Sequence, residues 1–143
     1  MISNEDLEAF GYYEMVDAYP VAPKSVQGMV EEYRVTAGQE KDPNMSLKLV
    51  LEEYCEFWDL AEEEHRGYEP LDEIATLKEL ADLTYVIYGY ANARGWNLDE
   101  AVRRVHENNM GRMYQPDGNI KRREDGKIIK NPEYPKVELG DLV

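Results

Sequence analysis

Two stretches of this chain set a pair of acids between apolar residues at the same 4,3,4 spacing. Leu49, Glu53, Glu56 and Leu60 form one quartet; Ala75, Glu79, Asp82 and Val86 form the other. Positions so spaced share one face of an α-helix, so in both places two acids interrupt an apolar stripe. Gly67 and Pro70 break the pattern between them, which leaves two helices joined by a short connection. Such helices pack antiparallel, and their acidic faces oppose each other. Gathering four carboxylates away from water costs several kcal/mol unless they bind protons or cations. Oxygen-only ligation suits magnesium or manganese, because His65 and His106 fall outside both quartets and the single thiol is Cys55. Glu53, Glu56, Glu79 and Asp82 are therefore the expected metal ligands. Glu52, four residues before Glu56, is read as facing water.

The rest of the chain extends the helical pattern. Ser25 is placed to cap a helix reaching about Ala37, with Val26, Met29, Val30 and Tyr33 in register and Gly38 as a stop. The first quartet belongs to a helix expected from about Ser46 to Gly67, and the second to one capped by Asp72 and stopped by Gly95. That third helix is apolar on more than one side. Asn97 with Glu100 has the residues of a capping box, opening a fourth helix expected to stop at Gly111. Turn signals at Pro116-Asp117-Gly118-Asn119 and Asp125-Gly126 then predict a short hairpin or ordered loop. The expected fold is all-α: one domain over residues 1–143, an antiparallel bundle of about four helices at 25–113 followed by a basic tail at 114–143.

Charge divides along the same line. Residues 1–99 hold 7 Lys and Arg against 22 Asp and Glu, whereas residues 100–143 hold 9 against 8, within a total of −14. So acidic a body excludes a general nucleic-acid binder. Arg112, Lys121, Arg122, Arg123, Lys127 and Lys130 give the tail cations suited to phosphate. Apolar runs are too short to cross a bilayer, the start from Met1 to Asp6 lacks a secretory pattern, and one cysteine forms no internal disulfide. A soluble cytoplasmic protein is expected.

Glu53-Tyr54-Cys55-Glu56 followed by Glu79-Leu80-Ala81-Asp82 resembles the paired acidic motifs of the MazG-type all-α nucleoside triphosphate pyrophosphohydrolases. Leu80 to Gly89, Val105 to Met110 and the tail from Arg123 to Lys130 are similar to the phage and bacterial branch of that superfamily, often described as phosphoribosyl-ATP pyrophosphohydrolase-like. The resemblance covers about residues 26–130. It implies metal-dependent attack at the α-phosphorus of a (deoxy)nucleoside triphosphate, releasing the monophosphate and pyrophosphate with two or more Mg²⁺ or Mn²⁺ ions. One of the glutamates would orient or deprotonate the attacking water; Glu53 is taken for this task, although spacing does not distinguish it from Glu56, and a role in shaping a nucleotide pool follows, in the host cytoplasm for a phage protein. Asn109, Arg112, Lys127 and Lys130 become the phosphate-binding set. Where the branch commonly reads Asn-Met-Ser-Lys or Asn-Met-Thr-Lys, this chain reads Asn109-Met110-Gly111-Arg112, exchanging a point charge for a planar fork. Leu98, Val102, Val105 and Asn109 again follow 4,3,4, so Asn109 is expected to end an apolar stripe pointing into the bundle.

The acids read phosphate and metal, not base or sugar; dGTP is the first substrate to test. Apolar residues on several helix faces, together with the resemblance, predict a homodimer or homotetramer. Two other readings compete: a non-enzymatic acidic helical interaction module, and a carboxylate-bridged di-iron bundle. The second needs a Glu-x-x-His on each of two helices, and only Glu62 to His65 supplies one.

Overall fold

The structure, a computed structural model, describes residues 24–68 and 70–143; the acidic start from Met1 to Asp6 lies outside them. Four helices follow in order: α1 (Val26–Thr36), α2 (Pro43–His65), α3 (Glu73–Arg94) and α4 (Leu98–Arg112), with a closing 3-10 turn at Gly140–Leu142. The expected all-α architecture is observed. The expected hairpin or ordered loop takes the form of two turns closed by isolated antiparallel bridges, Tyr114 with Ile120 and Arg122 with Ile128, and no longer ladder forms among the described residues.

Short polar side chains fix the helix starts. Ser25 Oγ accepts from the Gly28 amide at 3.1 Å, and Asp72 accepts from the Ala75 amide at 3.0 Å. α2 begins three residues earlier than Ser46, because Asp42 caps it through the Asn44 and Met45 amides, both at 3.0 Å, and Pro43 suits the first helical position. Asn97 caps α4 through the Glu100 amide at 3.1 Å, but the reciprocal half of the capping box is absent. The Asn97 amide donates instead to the Leu142 carbonyl at 3.0 Å, and Glu100 pairs with Arg103 and Arg104. Gly111 does not end α4. It lies inside the helix, where a Cβ would collide with the Tyr134 ring.

α2 and α3 form the principal interface, a long antiparallel hairpin. α1 crosses α3 in the opposite sense, with Val30 beside Gly89 and Tyr33 edge-on to Tyr85 at 6.1 Å. Gln27 ties three elements together. Its amide donates to Asn92 Oδ1 at 2.8 Å and to the Trp96 carbonyl at 2.6 Å, and its carbonyl oxygen accepts from the Asp99 amide at 2.9 Å. α4 therefore starts at the junction of α1 and α3, where Asp99 is hydrogen-bonded to Tyr88, and it packs mainly on α1 and the closing turn. The tail runs back along α4: the Asn131 amide bonds the Arg112 carbonyl, Asn108 bonds the Pro135 carbonyl, and Arg104 grips Asp141 through two nitrogens at 2.6 and 2.7 Å.

Little apolar surface is buried within this one chain. Among the described residues Val30 and Ala91 are the buried hydrophobics, joined by Asn92. α3, read as apolar on more than one side, leaves Ile74 85% and Leu77 67% exposed. The periodicity is real, but one chain does not cover it.

Candidate active site

The α2–α3 hairpin turns both acidic faces toward each other. A carboxylate oxygen from each of Glu53, Glu56 and Glu79 lies within 4.8 Å of the others, a spacing that one cation could bridge. Asp82, one turn beyond Glu79, flanks this group; its carboxylate is 2.7 Å from Lys78 Nζ, which also lies 3.2 Å from Glu79. Glu53 Oε2 and Glu79 Oε2 are buried without a hydrogen-bond partner, the condition under which carboxylates bind protons or metal. Desolvation, followed by the charges of Glu56, Asp82 and Glu79, pushes the Glu53 pKa up. Desolvation and then the Glu79 charge do the same to Glu56. Lys78 opposes both rises, and its own pKa is raised by hydrogen bonds to Asp82 and then Glu79. The donors are all oxygens and the burial is partial, so the set fits a hard divalent cation.

Beside these acids opens a cleft of about 560 Å³ between α1 and α2, floored by α3. Glu53 and Asp82 stand on its wall with Tyr33, Tyr85, Leu49 and Arg34. Arg34 is fixed by both oxygens of Glu31 and by the Gln39 carbonyl, so it holds the loop between α1 and α2 in place. The cleft is large enough for a small ligand, and its polar lining comprises Glu53 and Asp82 together with Arg34, Glu40, Lys41 and Asp42.

A family model described as phosphoribosyl-ATP pyrophosphohydrolase matches residues 27–109, which span α1 through most of α4 and both acidic quartets. The chain belongs to this family. It is thereby one of the MazG-like all-α nucleotide pyrophosphohydrolases, enzymes of the pyrophosphohydrolase type. A search among curated proteins finds no significant match.

None of the residues anticipated from this family resemblance to bind phosphate lines the cleft or joins the three-carboxylate group. Asn109 and Arg112 sit at the far end of α4, and Lys127 and Lys130 belong to the turns beyond it. Asn109 does not point into the bundle. Val102, Val105 and Asn109 are exposed, because the tail covers the other side of α4. His65 and His106 are exposed and outside the carboxylate group, so the di-iron reading gains no second ligand motif. Sequence reasoning missed Lys78, although its position four residues before Asp82 is the spacing of a helical ion pair. It also missed the cleft, since no spacing rule reports that α1 and α2 stand apart. No helix among the described residues is long and apolar enough to cross a membrane.

Proposed function

We propose that this chain hydrolyses a (deoxy)nucleoside triphosphate at the α-phosphorus, with Mg²⁺ or Mn²⁺ held by Glu53, Glu56, Glu79 and Asp82, to give the monophosphate and pyrophosphate. The observation that carries the reading is the meeting of Glu53, Glu56 and Glu79 across the hairpin beside a cleft walled by Glu53 and Asp82. Bound divalent ions would neutralise triphosphate oxygens and acidify the attacking water. The remaining tasks belong to the chain. The cleft takes the nucleoside between α1 and α2, which brings the first phosphate to its acidic end. Glu53, on that wall, orients the water and takes its proton; Glu56 does not line the cleft, and this separates two residues that spacing treats alike. Lys78 leaves Glu79 and Asp82 to the incoming cations and is then free to face phosphate.

The reading includes a homodimer or homotetramer acting on a nucleotide pool in the cytoplasm. Exposed Leu51, Trp58, Ile74 and Leu77 support association, since among the described residues Val30 and Ala91 are the buried hydrophobics and these side chains stay uncovered. A screen of canonical ribo- and deoxynucleoside triphosphates with Mg²⁺ or Mn²⁺, beginning with dGTP, tests the reading. Equimolar monophosphate and pyrophosphate from at least one substrate, abolished by chelator, is the expected result; orthophosphate alone refutes it.

A further inference from the structure

We propose that Lys78 holds the place of a second divalent ion on α3 and gives it up when substrate phosphates arrive, so that full metal loading is tied to substrate binding. The proposal rests on the pyrophosphohydrolase reading for the identity of the phosphates, and on the geometry of the hairpin for the competition itself.

The hairpin acids fall into two sets. One oxygen from each of Glu53, Glu56 and Glu79 lies within 4.8 Å of the others. Asp82 repeats the motif one turn later but does not join that group; its carboxylate is taken up by Lys78 Nζ at 2.7 Å. The same ammonium lies 3.2 Å from Glu79 Oε1. Lys78 therefore bridges the two acids of α3, as an ion coordinated by both would, with one positive charge in place of two. It leaves Glu79 Oε2 and Glu53 Oε2 buried without a hydrogen-bond partner. A first cation is thus met by carboxylates alone, whereas a second has to displace an ammonium.

The lysine's hold is weak enough to yield. Its side chain is 63% exposed, and ion pairs open to solvent contribute little. Its order along the helix is also the less favourable one, with the cation four residues before the acid. A compact charge on a flexible four-carbon stem can swing away without disturbing α3. Against a dication alone, Lys78 competes twice, by occupying carboxylate oxygens and by repelling a like charge. Against a dication that arrives with polyphosphate it competes less, because phosphate oxygens give the ammonium replacement anions.

The run of the cleft carries those anions toward it. Its lining steps along α3 from Asn92 through Gly89 to Asp82, and along α2 from Met45 through Leu49 to Glu53. The next turn of each helix bears Glu56 on α2 and Glu79 with Lys78 on α3, the lysine about 6 Å beyond Asp82 at 1.5 Å per residue. A nucleoside seated in the cleft with its first phosphate at Glu53 and Asp82 directs the outer phosphates over that turn. The cleft's other cations are placed elsewhere. Arg34 is held by Glu31 and the Gln39 carbonyl, and Lys41 precedes α2, whose start is about 15 Å from Glu53 along the helix. Since linkage is reciprocal, the phosphates that draw Lys78 away tighten the second ion by the factor by which that ion tightens them.

Equilibrium dialysis of the full chain against Mn²⁺ at fixed free concentration tests this without nucleotide. The wild type should bind one ion per chain tightly and a second weakly. In Lys78→Met the Kd of the second ion should fall at least about fivefold, the low end of ordinary coupling between sites, while Lys78→Arg should follow the wild type. Inorganic tripolyphosphate should then tighten the second ion more in the wild type than in Lys78→Met. Identical Mn²⁺ isotherms for wild type and Lys78→Met overturn the proposal, as does Lys78→Arg behaving like Lys78→Met, or tripolyphosphate acting equally on both. None of these readings requires turnover. If they come out as expected and no triphosphate yields pyrophosphate, the functional reading fails and the competition stands; pyrophosphate release with identical isotherms means the reverse.

Discussion

The α2–α3 hairpin and the α4–tail unit treat charge in opposite ways. In the hairpin, like charges meet: Glu53 and Glu79 each keep a buried oxygen without a partner, and the pKa values of Glu53 and Glu56 are driven up. In the α4–tail unit the charges near the start of α4 meet opposite partners. Glu100 is hydrogen-bonded to Arg103 and Arg104, which holds its pKa down at about 2, and Arg104 also secures Asp141. One region gathers like charges; the other uses ion pairs to fix a chain end. The contrast separates the candidate site from a braced chain end.

Removing a hairpin charge should have the largest effect on function and the least on folding. Glu56→Gln and Asp82→Asn are each expected to lose more than tenfold in turnover at saturating metal, a barrier increase above about 1.4 kcal/mol. Thermal stability of the metal-free protein should hold or rise, because a like charge has been withdrawn. Full activity with lowered stability in both variants would reverse the contrast.

The scaffold should respond the other way. Gly111→Ala replaces a helix-weakening residue and on propensity alone would stabilise by up to about 1 kcal/mol. Here the added methyl meets Tyr134, so a net loss of about 1–3 kcal/mol is expected, with earlier proteolysis of the tail. Gly111→Ala combined with Tyr134→Ala should recover much of the loss. A stabilised single variant would show that the tail is not seated on α4.

A smaller effect is expected from pH. Glu53 and Glu56 have folded pKa values above the ordinary 4.5, so the folded state holds their protons more tightly than the unfolded chain does. Their contribution favours folding below about pH 4.5 and is lost as pH rises through the raised folded values. The melting temperature of metal-free protein should therefore fall as pH climbs from about 5 toward neutrality. Glu53→Gln with Glu56→Gln should flatten that fall, and wild-type dependence identical to the variant's would contradict the crowding of these acids.

The same division governs what the sequence disclosed. Helix starts at Ser25, Asp72 and Asn97 were legible because a cap acts within three residues. The meeting of Glu53, Glu56 and Glu79 was legible because the same spacing repeats on two helices. Gly111 misled, since glycine signals a helix end by its backbone freedom, whereas here its missing side chain admits a ring from 23 residues away. The stripe ending at Asn109 was legible as a face but not as a destination; periodicity reports that a surface is apolar, not what covers it. Lys78 and the cleft depend on how helices stand against one another, and local patterns do not carry that information.

The central claim is the bond that breaks. On the proposed reading the nucleoside sits in the cleft lined by Glu53 and Asp82, so water should attack the phosphorus nearest the sugar. Hydrolysis of the preferred triphosphate in ¹⁸O-labelled water, followed by mass spectrometry of both products, should place the label in the nucleoside monophosphate and leave pyrophosphate unlabelled. Label in pyrophosphate, or orthophosphate with a nucleoside diphosphate, would contradict the account.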